Sequence, residues 1–249
     1  MVNSIRSGAL YDAISAANEE RVFEHWHASS ISECPRSHYL KRLGQKRLQV
    51  PTGAKIMRWQ SGHSVEEVIR PYIEQVYGKT ESNVRLTSKE LDLTGEYDNL
   101  TIKDKRLIEI KSVHDLAFID KDGVTGLKEE TGELGPRGGK GWRVKPTPYL
   151  HHELQQHAYV LLLAEQGIEV ANIDYVYVSL SGRIVVYSTK TDPELTAAVK
   201  RRLAVLNEAW RTKTPPPCIC KDYDNPLYAS TLQWCDYRDD TKGVCCEIV

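Results

Sequence analysis

Apolar residues recur at helical spacing in several separate stretches of the chain. Residues 8–26 are rich in Ala and Glu, and a second segment runs from a start signal at residues 30–32 to a glycine at position 44. Apolar positions repeat at i, i+3 and i+4 in residues 62–77, and helical period returns in residues 149–167 and 192–211. Because this spacing places apolar side chains on one helix face, it predicts five helices.

The middle of the chain changes to the alternating pattern that is typical of strands. Three short runs at residues 84–93, 95–102 and 106–113 are separated by turn-forming residues, and they predict an antiparallel meander. Two further strands are predicted after the fourth helix. Residues 120–148 are rich in glycine and show no sustained period, so they are predicted to form a long loop. The order of elements indicates a mixed α/β domain, with a central sheet flanked by helices.

Composition narrows the class of protein. The chain has 249 residues, 41% of them hydrophobic, which suits a single domain with a substantial core. A net charge of −1 argues against the strongly basic type of nucleic-acid-binding protein. No apolar run reaches 18 residues and the N-terminus lacks an apolar signal region, so we expect a cytoplasmic protein without membrane contact.

Asp98, Glu109 and Lys111 form the sharpest candidate for chemistry. Glu109 and Lys111 are two residues apart on a predicted strand, so their side chains leave the same face. Asp98 lies on the preceding strand, which a short turn folds against this one. Two converging carboxylates can hold Mg²⁺ or Mn²⁺, and a neighbouring lysine can orient a water or offset phosphate charge. These residues therefore suit hydrolysis of a phosphodiester.

The same residues resemble a known nuclease superfamily. The segment GEYD at residues 95–98, followed by EIK at 109–111, is similar to the core of the PD-(D/E)XK nucleases. Gln155 and Tyr159 on the next predicted helix match the Q-x-x-x-Y motif of the RecB-type branch. The resemblance implies a restriction-endonuclease-like core over about residues 60–213, with Gln155 and Tyr159 supporting the site and contacting the substrate backbone.

One motif of that branch departs from its usual form. The branch has G-x-x-x-H on an upstream helix, where the histidine completes the metal shell. Here Gly62 is followed four residues later by Glu66, and His63 comes directly after the glycine. Because a carboxylate can replace imidazole as a Mg²⁺ or Mn²⁺ ligand, we favour Glu66 as the third ligand over His63. Glu67 stays open, since the rotation of a helix is not readable from sequence.

The cysteines cluster near the C-terminus, where five of the six fall in the last 32 residues. In a reducing compartment such clustering indicates metal or cluster ligation more often than disulfides. The chain resembles the iron–sulfur subgroup of RecB-type exonucleases, which includes CRISPR-associated and phage enzymes. That resemblance implies that residues 1–59 and 214–249 enclose a [4Fe–4S] cluster, with zinc as the alternative. The expected ligands are Cys34, Cys220, Cys235 and Cys246, with Cys218 and Cys245 as alternates.

Local charge indicates where a nucleic acid would bind. Two acid-free stretches, between residues 34 and 65 and between 135 and 151, carry basic side chains and a tryptophan each. Phosphates require the positive charges, and an unpaired base can stack on an aromatic ring. The candidate DNA-binding residues are Arg36, Lys41, Arg42, Arg137, Lys140, Trp142 and Arg143.

Together these features predict one function and one alternative. The expected function is that of a metal-dependent DNA exonuclease acting on single-stranded ends, with residues 1–249 as one nuclease domain. The alternative is a non-catalytic nucleic-acid-binding module that keeps a structural zinc or iron–sulfur site.

Overall fold

A computed structural model describes residues 4–16, 23–48, 51–121, 123–134, 140–219, 235, 237–239 and 244–245. Its helices are α1 (Ser4–Ala16), α2 (Pro35–Arg42), α3 (Gly53–Tyr77), α4 (Leu150–Glu165) and α5 (Pro193–Thr212). None of these described helices has the length and apolar character needed to cross a membrane.

The strands of the described residues form three sheets. They are β1 (Trp26–His27), β2 (Thr80–Ser88), β3 (Leu93–Thr101), β4 (Leu107–Ser112), β5 (Phe118–Lys121), β6 (Val124–Leu134), β7 (Lys140–Val144), β8 (Asn172–Val178), β9 (Ile184–Lys190), β10 (Arg238–Asp239) and β11 (Val244–Cys245). The central sheet has the order β1-β3-β4-β8-β9, and β2 pairs with the other edge of β3. A second sheet contains β5, β6 and β7, and β10 pairs with β11.

The central sheet is mixed, as the sequence predicted. Strands β2, β3 and β4 are joined as an antiparallel meander, which confirms the interpretation of the three alternating runs. Strand β8 then returns parallel to β4 after the chain has passed through α4, and β9 pairs antiparallel with β8. A parallel pair requires a crossover connection of this kind, because a hairpin can join only antiparallel strands.

Helices cover the two faces of the sheet at β4, whose side chains alternate between them. Ile108 and Ile110 pack with Ile73 of α3 in a small apolar cluster on one face. Leu107 belongs to the larger core, which contains the buried apolar residues of α4 and α5. Because a strand sends successive side chains to opposite faces, Glu109 and Lys111 lie on the same face as Leu107. The meander therefore directs both candidate catalytic side chains toward α4.

Two sequence predictions on secondary structure need correction. The predicted helix over residues 8–26 ends at Ala16 in the described part, and Trp26 and His27 form the short strand β1. Residues 120–148 contain strand structure, in β5 to β7, where a long loop was predicted. These strands were missed because glycines and charged residues interrupt the alternation, and because Val124 of β6 is exposed although Leu127 is buried.

Arg42 fastens the N-terminal segment to the rest of the fold. Its guanidinium lies between two indole rings, 4.4 Å from the centroid of Trp26 and 4.3 Å from that of Trp210 on α5. It also forms an ion pair with Asp92, in the turn between β2 and β3, and its side chain is 8% exposed. The sequence predicted Arg42 as a DNA-binding residue, but its charge is enclosed and faces the protein interior.

His38 makes the stability of the folded chain dependent on pH. Burial, together with the positive charge of Lys41, lowers the pKa of His38 well below its ordinary value of 6.5. Its Nε2 atom accepts a hydrogen bond of 3.1 Å from the backbone N–H of His27, which requires the neutral ring. The unfolded chain takes up this proton at higher pH than the folded chain does, so stability is complete above about pH 6.5 and falls below it.

We therefore expect His38→Gln to flatten the decline of unfolding free energy between about pH 6.5 and 5. The amide accepts a hydrogen bond and cannot gain a proton, so its contribution does not change with pH. Urea unfolding curves at a series of pH values measure this slope. His63→Gln is the matched control, because the His63 side chain is 77% exposed. Equal slopes in wild type and His38→Gln would contradict the assignment.

Candidate active site

The site begins where β3 and β4 separate. One edge of β3 pairs with β1 at Leu93 and Thr94 and with β4 at Asn99 and Leu100, so residues 95–98 have no strand partner on that edge. At the opening, Asp98 Oδ2 accepts a hydrogen bond of 2.8 Å from the backbone N–H of Ile110. This side chain takes the place of a ladder bond. Asp98 is thereby fixed beside the part of β4 that carries Glu109 and Lys111.

Glu109 is the most enclosed charged group of the site, with its side chain 1% exposed. Its Oε1 accepts a hydrogen bond of 2.9 Å from Gln155 Nε2 on α4, and it forms an ion pair with Lys111 Nζ. Its Oε2 accepts from the amide of Gln156. Three donors thus surround a buried carboxylate, which satisfies the hydrogen-bonding requirement of a buried acceptor.

Helix α4 contributes Tyr159 to the same network. Gln155 Nε2 also lies 3.1 Å from the Tyr159 hydroxyl, which fits their i, i+4 spacing on one helix face. The ring of Tyr159 packs directly over β3 at Gly95, where a Cβ atom would come within 2.5 Å of its Cε1 and within 2.7 Å of the Ala28 side chain. The glycine of the GEYD segment therefore provides the space that Tyr159 occupies.

Gly95→Ala is expected to disturb the site by displacing the Tyr159 ring. Because the added methyl meets Tyr159 and Ala28 at distances far below van der Waals contact, the ring must move away from β3. We expect a loss of about 1–3 kcal/mol in unfolding free energy, the usual cost of overpacking a core. Chemical denaturation measures this loss. Gly123→Ala is a comparison at an exposed turn glycine with no atom within 4 Å, although its positive φ adds backbone strain.

Glu66 approaches the site from α3. Burial raises the pKa of Glu66, and the negative charge of Asp98 raises it further. His63 lies on the outer side of the same turn, with its Nδ1 atom 3.5 Å from Glu66 Oε2, and Glu67 is exposed. Of the three residues that the sequence left open on this helix, Glu66 is the one that shares the electrostatic field of Asp98.

The electrostatics show an excess of negative charge. Burial raises the pKa of Glu109, and the charges of Asp98 and Glu66 act in the same direction. Burial alone would lower the pKa of Lys111, but the negative charges of Glu109 and Asp98 raise it overall. Three carboxylates therefore share one lysine. Binding of a divalent cation with oxygen ligands is most favourable at such a buried site, because the cation compensates the carboxylate charges.

The oxygen ligands of these residues suit a hard cation in chemical type, but their side chains are not arranged closely around a single point. Across the described part of the chain, no group of three or more His, Cys, Asp or Glu side chains is placed closely enough to hold a metal ion. Glu109 is instead engaged by Gln155, Gln156 and Lys111. The buried Gln156 Oε1 has no hydrogen-bond partner among the described residues. The amide that donates to Glu109 therefore keeps one acceptor unused, which a cation or an ordered water could occupy.

Two contributors were missed by sequence reasoning. Gln156 directly follows the motif residue Gln155, and both amides reach Glu109 because helix neighbours are about 100° apart and can flank one group. His151 stands at the first turn of α4 with its ring stacked on Tyr149, centroids 5.6 Å apart. Burial lowers the pKa of His151 to about 4, and the charge of Lys111 adds to the effect. The Gln-Gln and His-His doublets were the available signals.

Two of the described cysteines are neighbours in the fold. Cys34, at the N-terminus of α2, has its Sγ atom 3.9 Å from Cys218 Sγ, which follows α5. Cys34 and Cys235 are buried in the main core, and Cys218 packs against it. Cys220, Cys246 and the side chain of Cys245 fall outside the described residues, so the predicted ligand set cannot be compared in full. The sequence placed Cys218 second to Cys220, whereas Cys218 is the thiol beside Cys34.

The predicted DNA-binding residues divide into two groups in the fold. Arg36, Lys41 and Arg42 lie on α2, where Lys41 Nζ forms an ion pair with Glu33 at 2.6 Å. Lys140, Trp142 and Arg143 lie on β7 and are exposed. There Lys140 pairs with Glu130 at 2.7 Å and Arg143 pairs with Glu129 at 2.7 Å, both on β6. Arg137 is outside the described residues.

The fold of this chain is similar to that of several solved structures. The crystal structure of SSO0001 aligns over 94% of this chain and 95% of its own, with a TM-score of 0.51 and 13% identity. LHK-Exo in complex with dAMP aligns over 76% of this chain and 89% of its own, with a TM-score of 0.50 and 13% identity. LHK-Exo is an alkaline exonuclease from Laribacter hongkongensis.

The chain shares the fold of SSO0001 and of LHK-Exo. It has the mixed central sheet flanked by helices that the sequence predicted. At 13% identity the structural similarity shows the fold alone, and the activity has to be argued from the site. Comparisons with protein-family models and with curated proteins found no match.

Proposed function

We propose that the protein is a metal-dependent DNA exonuclease that hydrolyses phosphodiester bonds at single-stranded ends. The observation that carries this proposal is the convergence of Asp98, Glu109 and Lys111 at the opening between β3 and β4. The support from Gln155 and Tyr159 is independent of those strands, because it comes from α4. The exonuclease activity of LHK-Exo, on the same fold, favours nuclease chemistry for this site.

Asp98, Glu109 and Glu66 would hold one or two Mg²⁺ or Mn²⁺ ions. Such an ion supplies Lewis-acid stabilisation of phosphate charge and lowers the pKa of a bound water. Of the chain's own groups, Glu109 is fixed by amide donors that keep its carboxylate in one orientation. The excess negative charge at the site would also exclude a nucleic acid unless a cation neutralised it.

Lys111 would act on the reacting phosphate as an ammonium group. In hydrolysis, the water oxygen forms a bond to phosphorus while the bond to the leaving sugar oxygen breaks. The proton of the water passes to solvent, and the leaving oxygen gains one from solvent. A positive charge held beside the site offsets the charge that develops on the non-bridging oxygens, and it can orient the attacking water.

The substrate would lie along the exposed face of β7. Lys140 and Trp142 are two residues apart and share one face of β7, where Lys140 pairs with Glu130. Arg143 pairs with Glu129 on the other face. Side chains of this type suit a strand whose phosphates require cations and whose bases can stack. Arg36 remains a candidate on α2, whereas Arg42 is committed to the interior.

Cleavage of end-labelled DNA tests the proposal. Single-stranded and double-stranded oligonucleotides, with Mg²⁺, Mn²⁺ or EDTA, show whether end release occurs and whether it needs a metal. Asp98→Asn is expected to lower the rate by about 10²-fold or more, because it removes a charged ligand. Glu96→Gln is the matched control, two residues away on β3 with an exposed side chain. Metal-independent cleavage, or equal rates in both variants, would contradict the proposal.

We also propose that the cysteines hold a [4Fe–4S] cluster that ties together the two ends of the chain, with zinc as the alternative. The juxtaposition of Cys34 and Cys218, and the burial of Cys235 in the same core, support this grouping. The fourth thiolate would come from Cys220, Cys245 or Cys246. Because the ligands come from distant segments, binding would also stabilise the fold.

Absorbance and metal content of anaerobically purified protein distinguish the two cofactors. A cluster is expected to give a brown solution with iron and sulfide in roughly a 1:1 ratio. Cys34→Ser and Cys218→Ser should both lose the chromophore and unfold at lower denaturant. Colourless protein with stoichiometric zinc would overturn the cluster in favour of zinc, and absence of both would refute the thiolate site.

A further inference from the structure

A cavity of about 220 Å³ lies beside the candidate active site, between α3 and the segment that follows β4. Arg58 and Ser61 line it from α3, and Ser112, His114 and Asp115 line it from the other side. Neither the proposed metal ligands nor Lys111 form its walls. It is therefore a separate compartment of the same surface.

Helix geometry connects this cavity to the catalytic residues. Arg58, Gly62 and Glu66 are spaced at i, i+4 and i+8, so they follow one face of α3. At Gly62 the helix comes close to β4, and a Cβ atom there would lie 3.9 Å from the Ser112 Cβ. Ser112 directly follows Lys111, so its side chain leaves β4 on the α3 face, opposite to that of Lys111. The cavity therefore approaches the site along α3, with Arg58 about 12 Å from Glu66 along the helix axis.

Arg58 brings a positive charge that the described residues leave uncompensated. No carboxylate among them lies within ion-pair distance of its guanidinium, and its Nε makes a long contact of 3.4 Å with the Ala54 carbonyl. Asp115 lines the same cavity, but its carboxylate accepts a hydrogen bond from the Ser181 hydroxyl. Within the described part of the chain, the Ser112 hydroxyl has no side-chain hydrogen bond. Both groups are therefore available to an anion.

We propose that Arg58 and Ser112 bind a backbone phosphate of the substrate strand, adjacent to the linkage that is cleaved. A guanidinium can donate two parallel hydrogen bonds to a phosphate, and the serine hydroxyl adds a third donor. The cavity is large enough for one phosphate group and associated water. This inference rests on the proposed nuclease function. Arg58 acts as a positioning residue that sets how the strand enters the site.

Steady-state cleavage in Mg²⁺ tests whether Arg58 binds the substrate strand. We expect Arg58→Ala to raise KM about tenfold and to leave kcat within about twofold, since the contact is equal in ground state and transition state. Arg58→Lys should recover part of the loss. Arg211→Ala is the control, because it removes an exposed arginine from α5, away from the cavity. Equal KM values for Arg58→Ala and Arg211→Ala would overturn the proposal.

Neutral linkages identify the phosphate that is bound. In a set of oligonucleotides, a methylphosphonate replaces one phosphate at a time near the cleaved end. At one internal position we expect the substitution to weaken wild type about tenfold and to have no further effect in Arg58→Ala. Independent losses at every position would overturn the assignment. Coupling with the terminal phosphate alone would also overturn it, because the cavity would then hold the strand end.

Failure of this inference can be separated from failure of the proposed function. Fluorescence anisotropy with a labelled single strand in Ca²⁺ measures binding independently of cleavage. In that measurement Arg58→Ala should reduce the slope of log affinity against log salt by about 0.7, the value for one phosphate contact on a single strand. Cleavage by wild type with an unchanged slope in Arg58→Ala overturns the inference alone. A wild type that binds and never cleaves refutes the nuclease function.

Discussion

Replacement of Lys111 by alanine is expected to lower kcat for DNA cleavage by about 10²–10⁴-fold. The ammonium is the one cation of the described site that stands beside Glu109, and a group that stabilises developing charge or orients a reactant contributes on this scale. Single-turnover cleavage of an end-labelled strand in Mg²⁺ measures the loss. Lys103→Ala, in the exposed turn between β3 and β4, is the control with the same change of charge.

The Lys111→Ala protein should still fold. Burial raises the pKa of Glu109 and the charge of Lys111 opposes this, so without the lysine the carboxyl can take up a proton, which avoids an isolated buried charge. Circular dichroism and denaturant unfolding check that the variant is intact. If the folded variant cleaves as fast as wild type in the presence of metal, Lys111 has no part in catalysis and the proposed mechanism is wrong.

Arg42→Met is expected to destabilise the folded chain by about 3 kcal/mol. The substitution keeps an unbranched side chain between Trp26 and Trp210, but it removes the ion pair with Asp92 and the stacking of a cation on two rings. For a chain of this length the loss corresponds to a fall in Tm of about 6–12 °C. Calorimetry or chemical denaturation measures it.

A second substitution separates the charge from the packing. Asp92→Asn in the Arg42→Met background removes the carboxylate that the first change leaves without its arginine, so we expect part of the lost stability to return. Arg211→Met, which breaks an exposed pair with Glu208, serves as the control and should change stability little. A stability loss no larger in Arg42→Met than in Arg211→Met would contradict the structural role of Arg42.

The local pattern of the sequence was sufficient for the meander and for the residues at its opening. Alternation in residues 95–113 predicted two adjacent antiparallel strands, and the structure forms β3 and β4 there. The two-residue spacing of Glu109 and Lys111 predicted that they share a face, and their ion pair bears this out. Both inferences depend on period and short-range geometry, which the order of residues specifies directly.

The pattern failed where the relevant contacts are distant in sequence or where alternation is interrupted. Residues 120–148 were predicted as a loop because charge and glycine mask their period, yet they form β5 to β7. Arg42 was assigned to DNA because it belongs to a basic run, although Asp92 and Trp210 enclose it from far along the chain. A charge run shows how many cations a segment has and contains no information about which of them face solvent.

The sequence by itself determined the set of chemical groups at this site: carboxylates and a lysine on neighbouring strands, amides on the following helix, and thiols near both chain ends. The tertiary structure decided which of these groups meet. It placed Glu66 in the field of Asp98, set Gln156 beside Gln155 on Glu109, and put Cys218 next to Cys34. Helix rotation and the approach of distant segments are fixed by packing of the whole core, and no local period specifies them.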